Sequence, residues 1–287
     1  MSKGVSFLQG RFGRVGLIDL NAPLVTHAHH HCHVLIKVVG ADGAFRVRGV
    51  RCPLTDDRAV LVNAWEPHAY EPGTAESTFI LALYIEPAWL AEIHSRLTVS
   101  GHPRFFPRNG VPVTPRLRIV ADDLASAMVS MTDASSQRVE SLIFDLMIAV
   151  IEPFSLWKAG DVLREGGSPA RHDPRIREAI AVMRARVGME LDVDGLAGHC
   201  GLSRTHFFEL FRRATNLTPG VFANELRMEA AFSGLAHSRA PIADLGYRLG
   251  FSAPGHFTRF FRHHIGVTPS QYRKVVDLYE SGQATLA

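Results

Sequence analysis

The stretch "GLSRTHFFELFRRATNLTP", residues 201 to 219, is followed by a near-copy, "GFSAPGHFTRFFRHHIGVTP", at residues 250 to 269. Gly201, Leu202 and Ser203 match Gly250, Phe251 and Ser252. After one inserted residue, His206, Phe207, Leu210, Phe211, Arg212, Thr218 and Pro219 match His256, Phe257, Phe260, Phe261, Arg262, Thr268 and Pro269. Upstream, Val193 and Leu196 match Ile242 and Leu245. Each copy reads as a short helix, a turn at a glycine, and a second helix opened by serine as N-cap. On that second helix the apolar residues recur at i, i+3 and i+4, so Phe207, Leu210 and Phe211, and likewise Phe257, Phe260 and Phe261, share a face that turns to a core.

The outward faces differ between the copies. Thr205, Phe208, Glu209, Arg212 and Arg213 point outward in the first, and Thr258, Arg259, Arg262 and His263 in the second. A helix-turn-helix anchored by its buried face leaves the other face free to enter a DNA major groove, where polar side chains meet base edges and Arg meets guanine or phosphate. Two such helices read successive groove segments about 10 base pairs apart. Keeping the apolar residues preserves the device, and changing the polar ones lets each copy read different bases.

Charge supports that reading. Of 31 Lys and Arg and 28 Asp and Glu, residues 173 to 275 hold 14 and 9, a net +5. The remaining 17 basic and 19 acidic residues leave the rest at −2. A basic C-terminal region points to a polyanion, most often nucleic acid. At 287 residues the chain has room for two domains with separate cores. The longest apolar run, Leu142 to Ile151, is interrupted by Asp145 and too short for a membrane helix, and the N-terminus lacks an apolar signal core, so a cytoplasmic protein without membrane contact is expected. Cys32, Cys52 and Cys200 are scattered and odd in number, which fits reduced thiols rather than a disulfide framework.

The segment "IADLGYRLGFSAPGHFTRFFRHHIGVTPSQYR", Ile242 to Arg273, resembles the AraC/XylS family of bacterial transcription regulators, and "PGVFANELRMEAA", Pro219 to Ala231, resembles the long helix joining that family's two helix-turn-helix motifs. The resemblance covers about 100 residues. It implies DNA contacts from Arg204, Thr205, Phe208 and Glu209 in the first copy and from Gly255, His256, Thr258 and Arg259 in the second, with Arg212, Arg213 and Arg262 on phosphates. Pro254 and Gly255 depart from the longer polar residues usual in the family, which shifts base reading towards Arg259. Phe208 can touch a thymine methyl or simply pack. The family further implies promoter DNA, RNA polymerase and a second copy of the chain as partners, and a small-molecule effector.

The first hundred residues read as strands. "HVLIKVVG", "GAFRVRGVR", "RAVLVNA" and "TFILALYIEP" are short, apolar and separated by turn residues, as in a β-barrel or sandwich. In "FRVR", Phe45 and Val47 alternate with Arg46 and Arg48, so one face should be wet. Residues 116 to 152 change to helical period, with stripes that could pack on the barrel, on each other or on a second copy. "KAGDVLREGGSPARHDP", Lys158 to Pro174, reads as a linker.

The fold class is therefore α+β and multidomain: a cupin-like sensor barrel at 1–115, a helical pair at 116–157 suited to dimerisation, a linker at 158–173, a double helix-turn-helix domain at 174–275 and a tail at 276–287. Within the barrel, "THAHHHCH" at 26 to 33 places His27, His29, His31 and His33 at strand spacing on one face, with His30 opposite. His68 follows in "WEPHAY". The pattern resembles cupin motifs, but "VLIKVVG" stands where their metal-ligand Glu falls. Three readings stay open: an effector pocket lined by these histidines with Arg46 or Arg48, Trp65 and Tyr70; a divalent metal held by His27, His29, His68 and His33; and a surface strand without a role. Function alternatives are a constitutive DNA-binding regulator whose barrel only dimerises, and a metal-dependent cupin enzyme with the helical domain as passenger.

Overall fold

The stretch 43–54 shows how turn chemistry sets the N-terminal half. "GAFRVRGVR", expected as one strand, is a hairpin of β4 (Gly43–Val47) and β5 (Val50–Leu54). Its turn is Arg48 and Gly49, at φ of 50° and 85°, the paired positive φ of the type I′ turn that suits the twist of a two-residue hairpin. Phe45 and Val47 face inward while Arg46 faces solvent, as the alternation requires, and Arg48 is exposed in the turn.

The computed structural model describes residues 6–93, 97, 100–102, 104–130, 136–156 and 173–278. Other strands are β1 (Ser6–Gly10), β2 (Gly13–Leu20), β3 (Cys32–Gly40), β6 (Arg58–Val62), β7 (His68–Pro72), β8 (Thr78–Ile85), β9 (Gly110–Pro112) and β10 (Val276–Leu278). The larger sheet runs β10-β1-β2-β8-β3-β6-β9 and the smaller β5-β4-β7. "TFILALYI" has no polar alternation because both faces of β8 are covered: Leu81 and Leu83 pack under helices, whereas Ile80 and Ala82 face the smaller sheet's Phe45 and Tyr70.

A short α1 (Pro87–Ile93) precedes the expected helical pair, α2 (Pro115–Val129) and α3 (Ser136–Phe154). Thr114 caps α2 by accepting the Leu117 N–H. The stripes pack on each other and on the sheet, through Leu117, Leu124 and Met128 and through Ile143, Leu146 and Val150. Ile119, Val129 and Phe144 remain exposed.

The C-terminal half is α4 (Pro174–Ala185), α5 (Val193–His199), α6 (Arg204–Thr215), α7 (Pro219–His237), α8 (Ile242–Arg248), α9 (Pro254–Ile265) and α10 (Pro269–Val275). Helices α5 and α6 form the first helix-turn-helix, α8 and α9 the second, and α7 joins them. Phe207 and Phe211, and Phe257 and Phe261, are fully buried; Leu210 and Phe260 lie half-buried at the edge of the same faces. Ser203 caps α6 by accepting the His206 N–H. Its counterpart corrects the expectation: the extra residue moves the cap of α9 to Ala253, Pro254 takes the first helical position, and the Ser252 hydroxyl instead pairs with His256 Nδ1 at 3.1 Å.

The two halves were expected to keep separate cores; beside one cluster confined to residues 8–156 and one almost confined to the helical half, a third spans both. Met228, Phe232 and Leu235 of α7, with Phe257, Phe261 and Tyr272, continue the apolar cluster of Phe7, Ile18, Leu35 and Tyr70 between the sheets. Strand β10, at a position expected to be tail, pairs in parallel with β1. The edge of the sheet is thereby covered by the chain's own C-terminal region. All but Asp173 of the expected linker lies outside the described residues.

Candidate functional site

Around α6 the residues named for DNA contact are available. Arg204, Thr205, Glu209, Arg212 and Arg213 are exposed. Arg204 pairs with Asp194 at 2.6 Å and lies 5.6 Å from the centre of the half-buried Phe208 ring, so Phe208 supports that arginine. An exposed pair of this kind contributes at most about 1 kcal/mol, and Arg204 can exchange Asp194 for a phosphate.

The same face of α9 is placed differently. Gly255, His256, Arg259 and Arg262 are exposed and Thr258 half-buried, but Gly255, Thr258, Arg259, Arg262 and His263 form one wall of a cleft of about 560 Å³ whose other wall is Leu20 to Leu24 of the barrel. The Val25 N–H donates to the His263 carbonyl at 2.9 Å. Gly266, at φ 84°, leaves no room for a side chain against Leu20. Among the described residues no carboxylate pairs with Arg212, Arg213, Arg259 or Arg262.

The histidines lie deep at the junction of barrel and helical half. His27, His29, His31, His33 and His68 are all buried, which removes the surface-strand reading. Residues 27 to 31 are not in a strand, since β3 begins at Cys32; only a single bridge joins His27 to His68. His30 accordingly does not occupy an opposite face but tilts against His31, ring centres 3.9 Å apart, and both reach Glu86, at 2.9 and 3.6 Å. His27, His29, His33 and His68 pack together, with ring centres 4.3 Å apart for His27 and His68, 5.0 Å for His29 and His68 and 4.9 Å for His29 and His33, and His31 adjoins them at 5.6 Å from His29. The His27 and His68 Nδ1 atoms each lie 2.8 Å from a carbonyl oxygen, of Val25 and Glu66. A carbonyl only accepts, so each Nδ1 carries the proton and each Nε2 a lone pair, that of His68 accepting from His33 Nδ1 at 3.4 Å. Neither nitrogen of His29, nor His33 Nε2, has a hydrogen-bond partner. Burial, reinforced by neighbouring imidazoles, pushes His27, His29 and His33 well below the ordinary range; burial and Arg14 do the same to His31, and burial brings His68 to about 4. The group is neutral at pH 7.

Other expected pocket residues stand elsewhere. The pleat of β4 directs Arg46 outward, where it pairs with Glu71 at 2.7 Å, and Arg48, exposed in the hairpin turn, lies 3.9 Å from Glu66. Tyr70 is inside the barrel, but its hydroxyl is engaged by Thr78 at 2.9 Å. Trp65, at φ 60°, turns its ring onto Phe222 of α7, 5.1 Å between centres. The cavity beside His27 and His29 holds about 10 Å³, room for one water or ion.

Sequence reasoning missed the residues that close this junction. Arg14 of β2 is buried, lies 3.7 Å from the Phe232 ring centre and donates to Glu229 of α7 at 3.1 and 3.4 Å. Burial works against both charges, yet Glu229 raises the guanidinium and Arg14 lowers the carboxyl. Glu225, one turn earlier, has no cation of its own: burial and then Glu229 hold its carboxyl well above the usual range, and its Oε1 is without a partner. An isolated Arg in "QGRFGRVG" gives no hint of an acid 215 residues away.

Two family models match the chain, an AraC-like ligand binding domain over residues 25–147 and a helix-turn-helix domain over 196–275. The chain belongs to the AraC family of transcription regulators. It is 24% identical to the transcriptional activator RhaS of Shigella sonnei over 86% of both chains, and 31% identical to the regulatory protein PocR of Salmonella typhimurium over 38% of this chain and 36% of that protein. With PocR and three other relatives the match spans 30 to 52% of the relative's length. The solved structure of ToxT from Vibrio cholerae shares the fold, with a TM-score of 0.54 at 10% identity over 94% of this chain and 98% of that one. The two matched domains, RhaS and PocR are those of regulators, not enzymes. Among the described residues no helix is long and apolar enough to cross a membrane.

Proposed function

We propose that the protein is a sequence-specific regulator that binds promoter DNA through α6 and α9 and whose barrel governs access to α9. The carrying observation is the asymmetry between equivalent faces: that of α6 is open, and that of α9 looks across a cleft onto residues 20 to 24. A duplex following both helices needs that cleft to widen, so the arrangement is a closed form and DNA favours an open one. Arg204, Thr205, Phe208 and Glu209 read the first half-site and Gly255, His256, Thr258 and Arg259 the second, with Arg212, Arg213 and Arg262 on phosphates. An effector that binds one form better than the other shifts promoter occupancy.

The exposed Ile119 and Val129 on α2 and Phe144 on α3 support pairing with a second copy. RNA polymerase is the further partner that family membership suggests, and promoter DNA places the work in the cytoplasm.

The test is selection of bound fragments from a genomic library at two salt concentrations. One motif with two blocks a helical turn apart is expected. Arg259→Ala should relax one position of the second block by roughly 1 to 3 kcal/mol; uniform weakening with a shallower salt dependence would make Arg259 a phosphate contact. Random fragments lost at high salt would refute sequence-specific binding by this form.

A further inference from the structure

We propose that His27, His29 and His68 bind one divalent transition-metal ion of the zinc class at the junction between the barrel and the helical half. One ligand atom from each residue lies within 4.8 Å of the other two. Nitrogens around a tetrahedral zinc stand about 3.3 Å apart, given metal–nitrogen bonds of about 2.0–2.1 Å, so side-chain rotations suffice to close the set. His27 and His68 already have the outer arrangement of metal-binding imidazoles: Nδ1–H donated to a backbone carbonyl, which holds the ring and turns the unprotonated Nε2 into the group, that of His68 now accepting from His33 Nδ1 at 3.4 Å.

His29 supplies the independent observation. It is 3% exposed, and neither ring nitrogen has a partner. A buried imidazole without hydrogen bonds is costly, and a bound cation would satisfy it. His33 Nδ1 donates to His68 Nε2 at 3.4 Å, a bond that an ion on His68 would replace, and His33 Nε2 is also unpartnered. An all-imidazole set selects zinc, copper, nickel or cobalt over magnesium or calcium, which want oxygen.

Room and rivals point the same way. The adjoining cavity of about 10 Å³ admits an ion or a water, not an organic molecule. The other group with ligand spacing, His30, His31 and Glu229, is already committed, Glu229 to Arg14 and His30 to Glu86. His27 follows Val25, whose N–H holds the end of α9, and its ring is 6.0 Å from that of His264. Glu225 of α7, whose Oε1 is without a partner, lines the same cavity. An ion there bears on the contact that controls α9; that consequence rests on the regulatory reading, whereas the site does not.

The experiment uses full-length, untagged protein stripped with chelator and titrated with Zn²⁺ by calorimetry and with Co²⁺ by visible absorption. About one equivalent is expected, with cobalt bands of nitrogen coordination and a rise in Tm. His29→Leu removes an unpartnered polar ring, so the metal-free variant should fold with an unchanged or higher Tm while losing the metal-dependent rise; His68→Ala should lose binding too, and His31→Ala should keep it. Binding below about a tenth of an equivalent, or a His29→Leu variant that binds as the parent does, overturns the proposal. DNA selection with metal-free protein separates the two readings: a two-block motif with no metal bound leaves the regulator and removes the site, whereas metal bound without a motif does the reverse.

Discussion

Arg14→Leu should tighten DNA binding. In the closed form the guanidinium is almost sealed, at 6% exposure, between Phe232 and Glu229, whose own side chain is 30% exposed. Removing one partner of a fully buried pair costs about 3–5 kcal/mol because the other charge is stranded. Here water reaches Glu229, which reduces the figure to about 2–3 kcal/mol by the same reasoning. The open form hydrates both groups and loses little. Closed-to-open populations should therefore fall about 30- to 150-fold, at tenfold per 1.4 kcal/mol, and apparent DNA affinity should rise by up to that factor, less where the parent is already partly open. The assay is fluorescence anisotropy with a duplex carrying the selected motif, at fixed ionic strength, on parent, Arg14→Leu, Glu229→Gln and the double variant. Glu229→Gln removes the stranded charge, so the double variant should fall between parent and Arg14→Leu. An Arg14→Leu protein that is folded by circular dichroism yet binds DNA within twofold of the parent would refute the closed-form argument, as would a strictly additive cycle.

The two turn glycines should differ in cost. Gly250, at φ 83°, would drive a Cβ into the Gly188 carbonyl, whereas Gly201, at φ 64°, has nothing within 4 Å; Gly250→Ala should lose about 2 kcal/mol or more and Gly201→Ala about 1, read by denaturant unfolding. The caps should differ as well: Ser203→Ala should lose about 1 kcal/mol and Ser252→Ala, which caps nothing, only a few tenths, and equal losses would contradict the shifted cap. All three thiols are free and buried, and burial raises each, Cys32 to about 12. Ellman's reagent should meet almost no thiol in native protein and three after guanidinium; rapid native reaction at Cys200 would mean the first helix-turn-helix opens readily.

How far each part was legible follows from the range of the interactions behind it. The double helix-turn-helix was written locally: the 3.6-residue period of Phe207 and Phe211, and of Phe257 and Phe261, sets the buried face whatever lies beyond, and each turn glycine marks a positive φ. The strand segments and the α2–α3 pair were legible for the same reason. The serine cap of α9 was not, because alignment places Ser252 opposite Ser203 while Pro254 moves the helix start by one residue. The histidines were visible as a cluster but not as a geometry. Strand spacing put His31 with His29 and His33; its ring does stay 5.6 Å from that of His29, but the irregular backbone of 27–31 also brings it to Glu86 and gathers His27, His29 and His33 on His68, 35 to 41 residues along the chain. Farthest from view was the junction. Arg14 meets Glu229, Trp65 meets Phe222, and β10 joins β1. By itself the sequence determined what each local device is, because periodicity, caps and turns act within a dozen residues. Only the tertiary structure decided that one recognition helix stands open while its twin faces the barrel, because that rests on pairings across 200 residues and more, for which no local pattern codes.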